Sequence, residues 1–492
     1  MLPLILIGVL SIAAATAYLP ISDRRARYLG LMFMAISSAL AIYIAWPGFS
    51  QVGIIGPWSL WYLDGIAALN LVLIALISFS ATLAAYRYLA REQAEQIIST
   101  ADIRRYFSLA PLLSAAMYVA VLSNHLGLLW LALEAATLLM ILLIAFYRKR
   151  SALEAAWKSI LLCSLGLSLC LIGIFLTAYA AGQSGVGSSF LLSTVRDIAA
   201  AQGMNVQIMH WAFVFVFMGI GTMIGLVPMH TWLPDAHSKT PAPISALLSG
   251  VLLNVALVSL LRFRQVADLA FMDNGVWTGR LFLVFGCLSI VVPALSLMLQ
   301  KNYKRLLAYS SIEHMGLMTL AIGLGPAGLV PMLMHMPGHA LLKSGLFFGA
   351  GEIVTAYKTT DTSLIKDVWV KLPRTGLLFL LTLLMLSAIP PSGVFVSQML
   401  VIGFGLREHV LITLVVSLAL VVASVAMIRN VYGLLFTSPG RFSNTVAEPW
   451  NITHLVMGLH LLLAVALGVF YITPAGLAFM LGIAQSFNPG LL

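Results

Sequence analysis

Apolar stretches of about 20 residues, the length that crosses the hydrocarbon core of a bilayer, follow one another from Leu2 almost to the end of the chain, with only short polar gaps between them. Charged residues make up 9% of the 492 positions, against about 25% in a soluble domain. Such a chain is expected to be dissolved in lipid, with no soluble domain left over. The first stretch, 2–20, is followed by Asp23, Arg24, Arg25 and Arg27 and has no basic region ahead of its apolar core. That order reads as a retained helix rather than a cleaved signal peptide. Cys163, Cys170 and Cys287 fall inside apolar runs, where thiols behave as small hydrophobes, so neither a disulfide framework nor a thiolate metal site is indicated. A net charge of +10 would suggest nucleic acid as the partner of a soluble protein. Here Lys and Arg gather in the gaps between spans, where membrane topology accounts for them.

The expected fold is an all-α membrane protein of about 14 transmembrane helices, at about 2–20, 29–46, 63–86, 107–123, 125–146, 153–180, 209–228, 243–261, 280–299, 306–325, 328–354, 376–406, 409–434 and 453–472. Connections after odd-numbered spans hold twenty Lys or Arg and those after even-numbered spans five, with Arg280 and Arg429 near span ends counted in the adjoining connections. The positive-inside rule then puts the odd connections in the cytoplasm and both termini on the non-cytoplasmic side of the plasma (inner) membrane. The longest outer connection, about 181–208, opens with a Gly- and Ser-rich run and continues as a short amphipathic piece.

Two lysine-bearing segments look alike: Ala155-Ala156-Trp157-Lys158-Ser159 in the sixth span and Ala340-Leu341-Leu342-Lys343-Ser344 in the eleventh. Each is followed by a span interrupted by proline, at Pro228 in the seventh and at Pro390-Pro391 in the twelfth. An offset of five spans reverses the direction of the second copy, so the expected arrangement is an inverted repeat, helices 4–8 against 9–13, with helices 7 and 12 broken. Paired broken helices of this kind point to a transport pathway near the midplane. The resulting division is 1–106 (helices 1–3), 107–262 (first repeat), 263–435 (second repeat) and 436–492 (helix 14 and tail).

Ionisable groups inside spans cost several kcal/mol and need a partner or a hydrated cavity. Glu134, in the fifth span, has no basic residue near it in sequence, so a cation from another helix is expected. Lys158 is well placed to pair with it, since the separation of such a pair can tune the proton affinity of both groups. His335, His339 and Lys343 recur at spacings of four and form a polar stripe on one helical face. Imidazole accepts and donates protons near neutral pH, which suits a proton relay. Metal binding by the two histidines is disfavoured by the adjacent lysine and the lack of an acidic or thiol partner. The segment 230–243, His-Thr-Trp-Leu-Pro-Asp-Ala-His-Ser-Lys-Thr-Pro-Ala-Pro, places His230, Asp235, His237 and Lys239 between two spans, as the mouth of a pathway or as a shaped turn. Lys301, Lys304 and Arg305, in the loop into the tenth span, read as a basic membrane-surface anchor, which does not explain Glu313 and His314 inside that span.

The 230–243 segment, the run Lys-Arg-Leu-Leu-Ala-Tyr-Ser-Ser at 304–311 and the His335/His339/Lys343 stripe together resemble the antiporter-like proton-conducting subunits of complex I and Mrp-type sodium/proton antiporters, over about residues 60–435. Leu-Glu-Ala-Ala-Trp-Lys at 153–158 and Ser-Ala-Leu-Leu-Ser-Gly-Val-Leu-Leu-Asn at 245–254 look most like the hydrogenase-4 and formate-hydrogenlyase membrane subunits. By that resemblance Glu134 matches the family's helix 5 glutamate, and His335, His339 and Lys343 fall on its central and exit-side relay. Two positions depart from the family's pattern: Met223 stands where a broken-helix lysine is common, and Gln398 (after Ser397) where a Lys or Glu is common; the helix 8 site on the pathway is Asn254, polar but neutral.

The resemblance implies a membrane subunit of a larger redox-driven complex, hydrogenase- or NADH dehydrogenase-like, moving protons along a midplane chain of Glu134, Lys158, His335, His339 and Lys343. No redox cofactor signature occurs in the sequence itself. Iron-sulfur, nickel or flavin centres would belong to other membrane subunits and a cytoplasmic redox module. Two alternatives stay open: a non-conducting scaffold that anchors a hydrogenase-like enzyme, favoured by Met223 and Gln398, and a cation/proton antiporter or inorganic-carbon-uptake subunit.

Overall fold

A computed structural model describes residues 1–19, 22–50, 53–183, 189–273, 275–437 and 448–487; most of the Gly- and Ser-rich run expected to open the outer connection lies outside them. The N-terminal helices are α1 (Leu2–Thr16), α2 (Asp23–Ala45) and α3 (Gly65–Ala94). The next group is α4 (Thr100–Leu122), α5 (Leu126–Ile144), α6 (Arg150–Gly182), the short surface helix α7 (Leu192–Ala200), α8 (Val206–Ile224), α9 (Trp232–Lys239), α10 (Ala242–Leu247) and α11 (Leu253–Phe271). Then follow α12 (Val276–Leu299), α13 (Tyr303–Gly323), α14 (Leu329–Tyr357), α15 (Val368–Lys371), α16 (Pro373–Leu386), α17 (Gly393–Glu408) and α18 (Val410–Phe436). The last two are α19 (Ile452–Tyr471) and α20 (Pro474–Phe487). Each expected span overlaps at least one of these helices, 243–261 and 376–406 overlapping two, while α20 lies outside all of them.

Among the described residues, ten helical stretches are long and apolar enough to cross a membrane. The helices α13 and α14, at 21 and 29 residues, match them in length but carry polar groups in mid-span. Burial separates an inner from an outer set. The apolar window of Ala242–Phe271 is 100% buried and those of α3 and α4 78%, against 39–44% for α2, α5, α6, α12, α18 and α19. The outer helices turn Leu161, Leu411, Leu418 and Leu462 outward, as lipid demands.

Two interruptions shape the interior. Helix α8 ends at Gly225, whose φ of 81° is open to glycine at little cost, and the Trp232 indole donates to the freed Thr222 carbonyl at 2.9 Å. Residues 232–239, expected in a connecting segment, then form α9, with Pro234 in its first turn where no hydrogen bond is lost. The expected span 376–406 is likewise divided into α16 and α17 at 387–392, and Ser392 caps α17 by accepting from Phe395 N at 3.1 Å. The first break is buried at Gly225–Val227, whereas the second is exposed at 389–391 and buried again at Ser392; non-helical backbone at membrane depth is tolerated where protein or water satisfies it.

Asp64 caps α3, accepting from Ala67 N at 2.9 Å, and forms a two-point ion pair with Arg262 of α11. Both side chains are nearly fully buried, at 0% and 3% exposure. The Arg262 guanidinium lies over the Tyr62 and Phe487 rings, Ser486 Oγ accepts from Gly65 N at 2.9 Å, and Gln265 donates to the Phe487 carbonyl. Helix α20 is thereby latched onto α3 and α11. Arg262 and Arg264, counted in the sequence as part of a connection, are buried residues of α11.

Just before α19, Glu448 accepts from Thr375 Oγ1 at 2.6 Å, from the N–H groups of Arg374 and Thr375, and from His454 Nε2 at 3.0 Å. Burial opposes ionisation, but these bonds from His454 and Thr375 prevail and hold the carboxyl down at about 2. Because the folded value lies below the ordinary 4.5, this tie stabilises the protein above the ordinary value and is lost as the pH falls through the folded one. Limited proteolysis of the segment before α19 is expected to accelerate between those two values in wild type. In Glu448→Gln it should already be fast at neutral pH and vary less; a wild-type rate that does not change over that range would count against the tie.

Candidate functional site

Helix α14 carries His335, His339 and Lys343 on one face, all within 1% exposure, and Pro337 removes one backbone hydrogen bond between them. The rings do not stand alone. His335 Nε2 is 3.0 Å from His314 Nδ1 of α13, and His335 Nδ1 is 2.9 Å from Ser397 Oγ on α17. The His339 ring lies 5.4 Å from His314 and 6.4 Å from His335, and neither of its nitrogens has a partner among the described residues. Lys343 Nζ donates to the Leu307 carbonyl at 2.9 Å.

The energetics decide what Lys343 needs. A lysine at the bilayer centre costs about 2.5–3.5 kcal/mol even on lenient scales, and one hydrogen bond from a charged group returns roughly 1.5–3 kcal/mol. The nearby acidic group that can offset the rest is Glu313 of α13, 5% exposed, whose field acts on Lys343 without a direct ion-pair contact among the described residues.

On the other side of Lys343, His237 of α9 stacks on Phe347 at 5.3 Å between ring centroids and feels both Lys304 and Lys343. Its two ring nitrogens are also unpartnered among the described residues. Beyond it a cavity of about 420 Å³ is lined by Lys149, Lys239, Lys304 and Lys358 together with Tyr88, Glu92 and Tyr147. Tyr147 donates to Glu92 at 2.7 Å, and Lys304 Nζ donates to the Thr240 carbonyl at 2.6 Å. Lys239 thus borders this cavity. His230 is only partly buried, 6.3 Å from the Tyr309 ring, apart from the His237–Lys343 group. Asn254 donates to the Gly250 carbonyl at 3.0 Å across a π-helical turn, Leu248–Leu252, that packs on α14.

The expected Glu134–Lys158 pair is not formed. Lys158 Nζ lies 2.9 Å from Glu154 and 3.1 Å from Asp235, and its side chain is 48% exposed. Glu134 accepts from Ser164 Oγ at 2.9 Å, and its second oxygen has no partner among the described residues. The cause is the rotation of α6. Its small-residue stripe, Ala152, Ala155, Ser159, Cys163, Gly166, Cys170 and Gly173, is the buried face, and Gly166 and Gly173 meet the α8 backbone closely. Lys158 falls beside that stripe and turns outward. Asp235 joins it to Arg305 of α13 at 2.9 Å, so Asp235 ties α6, α9 and α13 rather than opening a route to Glu134.

Residues 123–425 match the family described as NADH:quinone oxidoreductase/Mrp antiporter, transmembrane. The chain belongs to that family. This antiporter-like subunit is 34% identical over 420 residues to a hydrogenase-4 component F homolog of Methylacidiphilum infernorum, covering 85% of this chain and 87% of that one. Its fold is that of a chain in the archaeal membrane-bound sulfane sulfur reductase complex, with TM-score 0.85, 23% identity, and 99% and 96% of the two chains covered. A chain of respiratory complex I from Thermus thermophilus has TM-score 0.82 at 20% identity, with 99% and 100% covered.

The antiporter-like subunit keeps neutral groups at two positions that resemblance flagged. Met223, at the end of α8, is wholly buried. Gln398, on α17, lines a small gap with Ser310, Glu313, His314 and Ser387. Sequence reasoning did not assign Glu92, Lys304 or Asp64, which sit near span ends where charge looks ordinary. Glu313 and His314 did carry a signal, as two ionisable residues inside an apolar run.

Proposed function

We propose that this subunit conducts protons within a multisubunit, redox-driven membrane complex of the hydrogenase or NADH dehydrogenase kind, whose iron-sulfur, nickel or flavin centres lie in partner subunits and a cytoplasmic redox module. The observation that carries the reading is the buried array His314–His335–Ser397, hydrogen-bonded at 3.0 and 2.9 Å beside His339 and Lys343. In a bond between two imidazoles one nitrogen donates and the other accepts. A proton taken up at one ring nitrogen can therefore be released from the other, and the charge advances by one ring without moving the backbone. The unpartnered nitrogens of His237 and His339 need hydrogen-bond partners in so buried a place, and water is the partner that fits a polar gap.

Protons enter from the cytoplasmic cavity at Lys239 and Lys304, pass His237 to Lys343, and run along His339, His314 and His335 toward Ser397. The lysines lining the cavity come from the connections or adjoining helix ends after the fifth, seventh, ninth and eleventh spans, and their meeting in one cavity supports placing the odd connections in the cytoplasm. About fourteen crossings of the plasma membrane, with both termini outside, follow from that placement. The two interrupted helices, α8/α9 and α16/α17, support an inverted repeat over 107–262 and 263–435. Glu134 and Asn254 stay on the polar axis, Glu134 through Ser164, while Asp235, Lys158 and His230 shape the mouth. A non-conducting scaffold is the second reading, favoured by buried Met223 and outward-turned Lys158.

The test is proton flux, read with a trapped pH-sensitive dye, in vesicles holding the complex that co-purifies with this chain and driven by the partner enzyme's turnover. Lys343→Met is expected to lower flux by at least about 10²-fold, the scale of a lost proton-transfer group, with electron transfer through the partner retained. Equal flux in wild type and variant would favour the scaffold.

A further inference from the structure

We infer that Glu313 is the terminal proton-bearing group of this pathway, and that protons leave beside the α16–α17 break toward α18. The inference rests on the proton-conducting reading above and adds to it an exit. Three observations converge on one side chain. Glu313 is almost wholly enclosed and electrostatically joined to Lys343. It lines a gap of about 10 Å³, roughly the room one water needs. The other polar residues lining that gap are His314 and Ser310 of α13, Ser387 at the end of α16, Gln398 of α17 and Ser424 of α18, beside the apolar Leu386 and Met427; Ser387 and Ser424 are partly exposed.

A buried carboxylate thus stands between the lysine at the core of the site and a polar gap bordered by the partly exposed Ser387 and Ser424. His314 lines the same gap, so the imidazole array adjoins this exit through His314, while Ser397 closes its other end. Gln398 sits across it with an amide that cannot release a proton. The carboxylate that α17 lacks is supplied to the same gap from α13. In the exit step an N–H bond of the Lys343 ammonium breaks as a bridging water takes that proton and passes one of its own to Glu313, where an O–H bond forms. That proton then passes to water at Ser387 and Ser424, and Glu313 returns to the carboxylate that attracts Lys343.

The experiment uses the same complex, vesicles and trapped dye, with Glu313→Gln, the double variant Glu313→Gln/Gln398→Glu, and Lys343→Met as reference. Glu313→Gln is expected to reduce flux more than about tenfold while the partner enzyme still turns over. The double variant, with the carboxylate moved across the gap, is expected to recover a large part of it. Flux within about twofold of wild type in Glu313→Gln, with Lys343→Met inactive, overturns the exit and leaves the proton-conducting reading standing; flux that survives in Lys343→Met overturns both. Flux lost in Glu313→Gln and not regained in the double variant makes Glu313 a structural counter-charge and overturns the exit, as does failure of both variants to assemble.

Discussion

Arg262→Met is expected to destabilise the protein by about 3–5 kcal/mol, the range for removing one partner of a buried ion pair. The substitution leaves Asp64, at 0% exposure, charged and without its counter-ion, and it also removes the cation that lies between Tyr62 and Phe487. The cost comes from the stranded charge more than from the lost attraction, so removing both charges should be far milder. Asp64→Asn/Arg262→Met is the informative comparison, because asparagine caps a helix as well as aspartate does and keeps the bond to Ala67 N. Thermal unfolding of the detergent-purified protein should fall sharply for Arg262→Met and recover most of the way in the double variant. Equal unfolding temperatures for wild type and Arg262→Met would show that the pair contributes little.

The second large effect is steric. Gly468 of α19 lies against the α16–α17 break so closely that an added Cβ would stand 1.9 Å from the Pro391 carbonyl oxygen and 2.7 Å from Ser392 C. No backbone shift confined to one side chain relieves that, so Gly468→Val must push α19 from the break. Overpacking of this kind costs roughly 1–3 kcal/mol. The displaced segment leads into α17, which holds Ser397 2.9 Å from His335, so proton flux should drop together with stability. Gly458, ten residues earlier in α19, has nothing within 4 Å of an added Cβ, and Gly458→Ala should leave both unchanged. Normal flux and melting in Gly468→Val would mean that α19 does not buttress the break.

Much of this was legible in the residues, for identifiable reasons. Length and hydropathy mark the helices because the bilayer enforces both, and Pro228 and Pro390-Pro391 mark the interruptions because proline cannot donate a backbone bond. The α14 stripe could be read from spacing, since residues four apart on one helix must share a face. How a second helix is rotated is not contained in that rule. Lys158 was matched to Glu134 on charge alone, yet the small residues at 152, 155, 159, 163, 166, 170 and 173 already trace the face of α6 that packs inward, and 158 is not among them. The contact of His314 with His335 and the gap that Glu313 shares with Gln398 join residues separated by 21 and 85 positions in the chain, distances at which only the tertiary arrangement decides who meets whom.

The α20 latch has a consequence for how the protein is made. Synthesis is vectorial, and earlier parts of a chain begin to fold before later ones exist. Asp64 and Arg262 are both inserted while Ser486 and Phe487 have still to be translated, so the ion pair can form early but the aromatic ring that covers Arg262 arrives only with α20. Until then the guanidinium is open to solvent on one side. The final sealing of α3 against α11 is therefore a late event in biogenesis, and a nascent chain stalled before residue 474 would hold its helices with that seam still wet.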